Sequence, residues 1–448
     1  MDNKEKYGEV ITPLPIIEEI YENCSDYIVK YLEEKTRFNT INILDVGSGD
    51  GKFIKCFIEK FPKISKKCIF YGIEINNDYQ TIFYDNMKKI KNIEDYKIFF
   101  VNDSILLDKN LITSKKFDLI IGNIPFNNNG FVKVPCNTKI SKKQEGQSIW
   151  YDCIQKSLKL LNDNGFILMI TPCLWLKPDK SNTYEKLVNN NDLLLVKNYD
   201  SLESHKIFKY KAQTPINYFL SIKKSNNIKQ KSKKICIINQ NKKQNFELKY
   251  NYPIPTHYLD DVLKGQEIMK KHKVGNMIKN ILKSNPVNEK NKGVTNDYHE
   301  TKFKNIKTCK INKKTYDFEV IYDYSSEECP FYKKSKIFCS HKRLPYFFED
   351  LDGNYGISKR DTFIITENVL MEVYSSKINK NNSRYYLSLL CKYLNHNFIQ
   401  NILKSTKYRM NFLEKYAYFY VPNIIEYVIK KNITDKNYDN IIEKFLLP

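Results

Sequence analysis

Asn123-Ile124-Pro125-Phe126 closes an apolar, β-branched run, Phe117-Asp118-Leu119-Ile120-Ile121-Gly122, and puts a carboxamide, a rigid proline and an aromatic ring at one strand end. Read as a plain turn, the segment needs no chemistry, because asparagine and proline punctuate loops. Read as a site, each residue has a task. The exocyclic amine of adenine is a poor nucleophile, since its lone pair is delocalised into the ring. The Asn123 side-chain carbonyl and the main-chain carbonyl of Ile124 or Pro125 can each accept one amine hydrogen. That draws the nitrogen toward tetrahedral geometry and frees the lone pair. Phe126 can stack on the base, a contact of roughly 1–3 kcal/mol.

A second group of residues supplies a place for a cofactor. Ile43-Leu44-Asp45-Val46-Gly47-Ser48-Gly49-Asp50-Gly51 is a buried strand entering a glycine-rich turn, with a helix from Lys52. Glycine lets the backbone take positive φ and approach a ligand closely. Both a dinucleotide and S-adenosylmethionine can use such a turn. The dinucleotide spacing fails, because the third glycine would fall at Lys52. Asp45, at the strand end, can face a cationic ligand. Glu74, followed by Ile75, ends the next strand and can accept both ribose hydroxyls of a nucleoside. Asp103 and Ser104 end the third, where the Asp103 carboxylate can take the amino group of an adenine. Each acid alone reads as a solvated strand end. Three at successive strand ends beside a glycine turn point to S-adenosylmethionine, bound through Asp45, Gly47, Gly49, Glu74, Ile75, Asp103, Ser104 and Asn123.

Methyl transfer from a sulfonium depends mainly on in-line alignment of nitrogen, methyl and sulfur. Carbonyl dipoles aimed at the developing positive charge add electrostatic stabilisation. Neither a metal nor a strong general base is required. The six histidines form no nucleophile–base set, and the eleven cysteines show no zinc-ligand spacing. No metal site is expected.

The elements that must position these residues follow from periodicity. Strand-like runs at Asn42–Val46, Cys68–Glu74, Lys97–Val101, Phe117–Gly122, Gly165–Thr171, Leu194–Asn198 and Asn217–Ile222 alternate with helix-like stretches such as Trp150–Asn162. That alternation predicts an α/β, Rossmann-like domain with a mostly parallel, seven-stranded sheet, and sites in such sheets lie at the carboxyl ends of the strands. Pro15–Lys35 reads as a helix entered through Thr12-Pro13. The lysine-rich stretch Lys223–Asn245, around one short strand-like run at Ile235–Ile238, marks either a boundary or an edge hairpin. Residues 1–245 are therefore expected to form a catalytic domain. Residues 246–448, with strand-like Phe318–Tyr324 and Lys336–Ser340 and helix-like Ser383–Asn401 and Ile433–Leu446, form a mixed α+β second domain.

Lysine and arginine total 73 against 51 acidic residues, a net charge of +22. Such a charge suits a polyanion, since lysines that neutralise phosphates release counterions. Heavy use of Lys, Asn, Ile and Tyr is also the skew of an AT-rich genome. The sequence lacks the apolar run of a membrane span or a signal peptide, which predicts a cytoplasmic or nucleoplasmic protein with reduced thiols. Arginine occurs only at Arg37, Arg343, Arg360, Arg384 and Arg409. Lys342, Arg343, Lys359 and Arg360 are accordingly the candidate phosphate and base contacts, with Lys407-Tyr408-Arg409 as a further backbone contact. A solvated face is the competing reading for all of them.

In motif order the chain resembles the adenine-N6 DNA methyltransferases of restriction-modification type, γ order, TaqI-like. Tyr7-Gly8-Glu9-Val10-Ile11-Thr12-Pro13 is similar to their first segment, Asp45–Gly51 to their cofactor turn, and Asn123–Phe126 to their Asn-Pro-Pro-aromatic corner. Gly165–Leu176 is similar to their fifth strand and following loop, and Lys336–Phe363 to part of their recognition domain. The resemblance implies Thr12 and Pro13 as cofactor contacts and Phe208 as the aromatic partner of a base extruded from the duplex. It implies a target-recognition role for the second half, duplex DNA as partner, a cognate restriction endonuclease, and a monomer. Ile124 departs from the pattern, since Asn-Leu/Ile-Pro-aromatic corners are the habit of rRNA adenine dimethyltransferases. An RNA methyltransferase and a catalytically silent nucleic-acid-binding protein are the alternatives.

Overall fold

The computed structural model describes residues 10–37, 39–107, 112–127, 148–208, 214–224, 232–239, 242–283, 294–298, 302–311, 317–340, 346–358, 362–409 and 413–447. The chain divides into two units, Met1–Asn251 and Tyr252–Pro448. Tyr7, Gly8, Glu9, Lys342, Arg343, Lys359 and Arg360 lie outside the described residues.

In the first unit, helix α1 (Leu14–Lys35) precedes β1 (Ile41–Val46), α2 (Lys52–Lys60), β2 (Cys68–Glu74), α3 (Tyr79–Met87), β3 (Lys97–Asn102) and β4 (Phe117–Asn123). Then come α4 (Trp150–Leu160), β5 (Leu161–Pro172), β6 (Asp192–Tyr199), α5 (Ser201–Ile207), β7 (Ile216–Ile222), β8 (Ser232–Asn239) and β9 (Lys242–Lys249). The strands form one sheet in the order β3-β2-β1-β4-β5-β7-β6-β8-β9. β3, β2, β1, β4 and β5 run parallel. β7 is antiparallel to both β5 and β6. The expected seven strands are thus nine: the lysine-rich stretch after β7 folds back as an edge hairpin, β8 parallel to β6 and β9 antiparallel to β8. Lysines on the solvent side hid β9, while its Phe246 and Leu248 are buried at the two-residue spacing of a strand. The boundary between units accordingly falls beyond β9 rather than inside it.

Alternate residues of each strand face one side, and this puts Ile41, Ile43, Leu119, Ile121, Phe166, Leu168, Ile170, Leu195, Tyr218 and Leu220 in a common core. Helix α1 covers that face with Ile17, Ile20, Tyr21, Cys24, Ile28 and Leu32, spaced three and four apart. Burying each large aliphatic side chain contributes roughly 1.5–3 kcal/mol. Two polar fasteners tie α1 to the sheet. Lys35 pairs with Asp118 at the start of β4, whose other oxygen accepts the Asn42 amide at 3.0 Å. Near the helix start, Glu19 takes the Lys197 ammonium at 2.6 Å and the Tyr199 and Tyr218 hydroxyls at 2.7 and 3.1 Å.

In the second unit, α6 (Leu259–His272) leads into two small sheets. One, in the order β10-β16-β13-β14, holds β10 (Leu282–Lys283), β13 (Lys336–Ser340), β14 (Phe348–Asp350) and β16 (Thr362–Thr366). The other, β12-β11-β15, holds β11 (Phe303–Ile311), β12 (Phe318–Ser325) and β15 (Gly356–Ile357). Lys336 and Asp350, both almost wholly buried, form an ion pair between β13 and β14. Asp350 also accepts the amides of Asn354 and Tyr355 at 2.8 and 3.1 Å, fixing the turn after β14. Helices α7 (Glu367–Val373), α8 (Ser383–Leu394), α9 (Asn397–Lys404), α10 (Ile424–Lys431) and α11 (Tyr438–Leu446) complete the unit. The single helix expected over Ser383–Asn401 is two, because extended His396 (ψ 135°) ends one and caps the next through its ring nitrogen. The last helix starts at Tyr438 rather than Ile433, where the Asn437 side chain accepts the Asn440 amide.

Gly122 sets the approach of β4 to β1. Its φ is +153°, and a Cβ there would meet the Val46 carbonyl oxygen at 2.3 Å. Gly122→Ala is expected to destabilise the fold by about 2 kcal/mol or more. Denaturant unfolding of the variant beside the parent checks this.

Candidate functional site

The site lies at the carboxyl ends of β1, β2, β3 and β4. The glycine turn after β1 is held by backbone bonds to the neighbouring strand, with the Gly47 and Ser48 amides donating to the Ile73 carbonyl at 3.0 and 3.1 Å. Gly47, Gly49 and Gly51 all have positive φ, at 67°, 48° and 77°. At Gly51 space also demands glycine, since a Cβ would sit 2.6 Å from Met87 and 2.8 Å from Phe83 of α3. At Gly47 a Cβ would come 3.4 Å from the Asn123 carbonyl oxygen, which shows how closely turn and corner adjoin.

Asp45 is fully buried, and among the described residues neither carboxylate oxygen has a hydrogen-bond partner. Burial pushes its carboxyl well above the ordinary range, helped by the negative charges of Asp50 and Glu74. A buried, unpaired carboxylate is costly unless a cation or donor meets it. Glu74 is partly committed: its two oxygens accept the Gly49 and Asn76 amides at 3.1 and 2.9 Å. Ile75, next in the chain, is 55% exposed, an apolar surface beside the carboxylate. Asp103 is half-buried, donates its amide to the Glu74 carbonyl at 3.1 Å, and accepts the Ser104 amide at 2.7 Å.

At the end of β4, Asn123 is half-buried, and its side-chain nitrogen donates to the Val10 carbonyl and the Thr12 hydroxyl, both at 3.0 Å. Ile124 is buried, at 1% exposure, so its side chain belongs to the core and offers nothing to a substrate. Pro125 and Phe126 are half-buried, and Phe126 rests partly on the main core. Thr12 is buried, and Pro13 caps α1 in an extended conformation.

The structure thus brings together Thr12, Asp45, Gly47, Gly49, Glu74 and Asn123. Phe208 stands apart from what its expected role needs. It follows α5 at 4% exposure within the main core, so its ring would have to be uncovered to sandwich a base. Three further residues carry features the sequence did not single out. Among the described residues, Ser48 and Asn76 have buried side-chain atoms without partners, the hydroxyl of one and the amide nitrogen of the other. Val10 supplies a carbonyl to Asn123. Asn76 opens an Asn-Asn-Asp run that reads as loop punctuation, and a main-chain acceptor has no sequence signature at all. Among the described residues, no cluster of His, Cys, Asp or Glu could hold a metal, and no helix is long and apolar enough to cross a membrane.

Residues 55–208 match the Eco57I restriction-modification methylase family. No curated protein matches the sequence. Among solved structures, the type I restriction-modification methyltransferase subunit of Streptococcus thermophilus is 16% identical, with a TM-score of 0.36, over 53% of this chain and 49% of that one. The EcoKI M protein, a type I restriction enzyme component, is 14% identical with a TM-score of 0.33, over 53% and 50% of the two chains. TrmN of Thermus thermophilus is 11% identical with a TM-score of 0.27, over 43% and 47%. The chain thus spans about half the length of these structures. The strand order β3-β2-β1-β4-β5-β7-β6, with β7 antiparallel, is that of a mostly parallel, Rossmann-like α/β sheet.

Asp45 yields a paired prediction. Its folded pKa is raised, so the folded state holds this proton more tightly, and the group destabilises the fold increasingly as pH rises above the ordinary 3.8. Asp45→Asn is expected to leave the ligand-free protein as stable or more stable, with the advantage growing from about pH 4 upward. The same change is expected to weaken S-adenosylmethionine binding roughly tenfold to a hundredfold, the loss of one charged hydrogen bond. Thermal unfolding across pH and calorimetric titration check the two halves.

Proposed function

We propose that the protein methylates N6 of adenine in duplex DNA, a reading supported by the match of residues 55–208 to the Eco57I restriction-modification methylase family and by the Rossmann-like sheet. S-adenosylmethionine, the cofactor of this fold, supplies the methyl group as an electrophilic sulfonium. Its cradle is the residues with unmet needs: the partnerless carboxylate of Asp45, the Ser48 hydroxyl, and the positive-φ glycines that keep side chains out of the turn.

One observation carries the adenine reading. Both amide hydrogens of Asn123 have acceptors inside the protein, which turns its carbonyl oxygen away from Val10 and Thr12. Among the described residues that oxygen has no partner, so it can accept a hydrogen from an incoming amine. A main-chain carbonyl of the corner takes the second hydrogen, and Phe126 offers a ring edge or face to the base. Held so, the amine nitrogen develops positive charge between two fixed dipoles, which need no reorganisation as the reaction proceeds.

DNA as the carrier is favoured by the restriction-modification family match and by the net charge of +22. The departure at Ile124 tells little against it, because that side chain is turned into the core. We assign target recognition to the second unit, with Lys342, Arg343, Lys359 and Arg360 as its first candidates. A restriction endonuclease partner and a monomeric state belong to the same reading.

Labelled methyl transfer to duplex DNA, against rRNA as the competing acceptor, tests the function. Asn123→Ala is expected to lower the rate at saturating S-adenosylmethionine about a hundredfold to a thousandfold, the scale for removing one preorganised dipole. An undiminished rate would sink the mechanism. Transfer to rRNA alone would replace DNA by RNA.

A further inference from the structure

Val10 and Thr12 meet the site at the Asn123 side chain. Thr12 was expected to touch the cofactor, yet its hydroxyl accepts the Asn123 side-chain amide at 3.0 Å. The Val10 carbonyl accepts the other hydrogen, also at 3.0 Å. A carboxamide is nearly symmetric in shape, so packing alone distinguishes its oxygen from its nitrogen poorly. Two acceptors on one side settle the matter, because a flipped amide would set its oxygen against the Val10 carbonyl oxygen.

We propose that Val10 and Thr12 are a positioning clamp that orients the Asn123 carboxamide, an inference that rests on the methyl-transfer reading of that corner. A flipped or swinging Asn123 would present an NH2 donor to the substrate amine, itself a donor, and the activating bond would be lost. Thr12 is therefore a positioning residue that acts through Asn123.

A clamp works only if its own support is fixed relative to the residue it holds, and the sheet register provides this. Asn123 lies opposite Ile170, Ile170 opposite Tyr218, and Tyr218 opposite Lys197, one row across four strands. Helix α1 grips that row further along through Glu19, which binds Lys197 and Tyr218, and through Asn23, whose amide donates to the Tyr218 hydroxyl at 2.8 Å. Lys197 is only 5% exposed, so its charge ties Glu19 in place. Between Glu19 and Thr12 stands a single helical turn, closed by the Ile16 and Ile17 amides donating to the Pro13 carbonyl at 3.1 and 3.4 Å. The clamp and its target are thus referenced to the same strand ends.

Thr12→Val removes the acceptor with little change of shape, and Thr12→Ser keeps it. In the full-length protein, Thr12→Val is expected to lower kcat roughly threefold to tenfold, the scale of one neutral hydrogen bond. S-adenosylmethionine affinity, by calorimetry, stays within about twofold over the same change, and Thr12→Ser restores kcat. A parent-like kcat in Thr12→Val, no rescue by serine, or cofactor affinity falling in step with kcat would each overturn the clamp. The last would make Thr12 a cofactor contact. A crystal structure of Thr12→Val gives a reading independent of activity: the Asn123 side chain is expected rotated or displaced, and an unmoved one would overturn the inference. Should the parent protein methylate no adenine, the proposed function fails, while that crystal structure still decides the clamp.

Discussion

The parallel pairing of β1 with β4 is the constraint on which the site depends. Asp45 lies opposite Ile121 in that pairing, so both strands end at one edge of the sheet although a long stretch of chain separates them. The glycine turn and the Asn-Ile-Pro-Phe corner therefore adjoin without any loop having to reach. Gly122 lets the strands close up, and Gly47, at φ 67°, turns the chain beside the Asn123 main-chain carbonyl. Glu74 takes its position from the same pair, through β2 beside β1.

Charge serves two purposes in this chain. At the end of β1, burial raises the Asp45 carboxyl, and the negative charges of Asp50 and Glu74 add to the effect. Such a cluster stores electrostatic cost that a cationic ligand relieves, as functional sites tend to do. Elsewhere lysine is an architectural residue. Lys35 with Asp118, Lys197 with Glu19 and Lys336 with Asp350 each fasten one element to another. Each such pair cancels within the net charge, so the excess of +22 lies in other basic residues.

The two units differ in how far their residues explain themselves. In the first, long apolar runs and helical spacing make β1 to β4 and α1 legible to within a residue, because a buried parallel sheet needs both faces apolar. By contrast, β5 begins at Leu161, ahead of the expected Gly165, and takes the end of the helix expected over Trp150–Asn162. β9 escaped because an edge strand wets one face, and its lysines masked the alternation of Phe246 and Leu248. In the second unit, short strands such as Leu282–Lys283 and Gly356–Ile357 carry too few residues for any period to register. Those strands exist because neighbours pair with them.

The sequence by itself determined the chemistry that could be done: a glycine turn with an acid before it, acids at the next two strand ends, and a carboxamide-proline-aromatic corner. Residue types and their spacing carry that information because strands alternate and glycine alone accepts the turn. Only the tertiary structure decided what these groups are free to do. It turned Ile124 and Phe208 into the core, committed part of Glu74 to the glycine turn, left Asp45 unpaired, and set Thr12 against Asn123. Orientation, burial and hydrogen-bond partnership depend on chain segments distant in sequence, such as Val10 and Asn123, and local pattern holds no record of them.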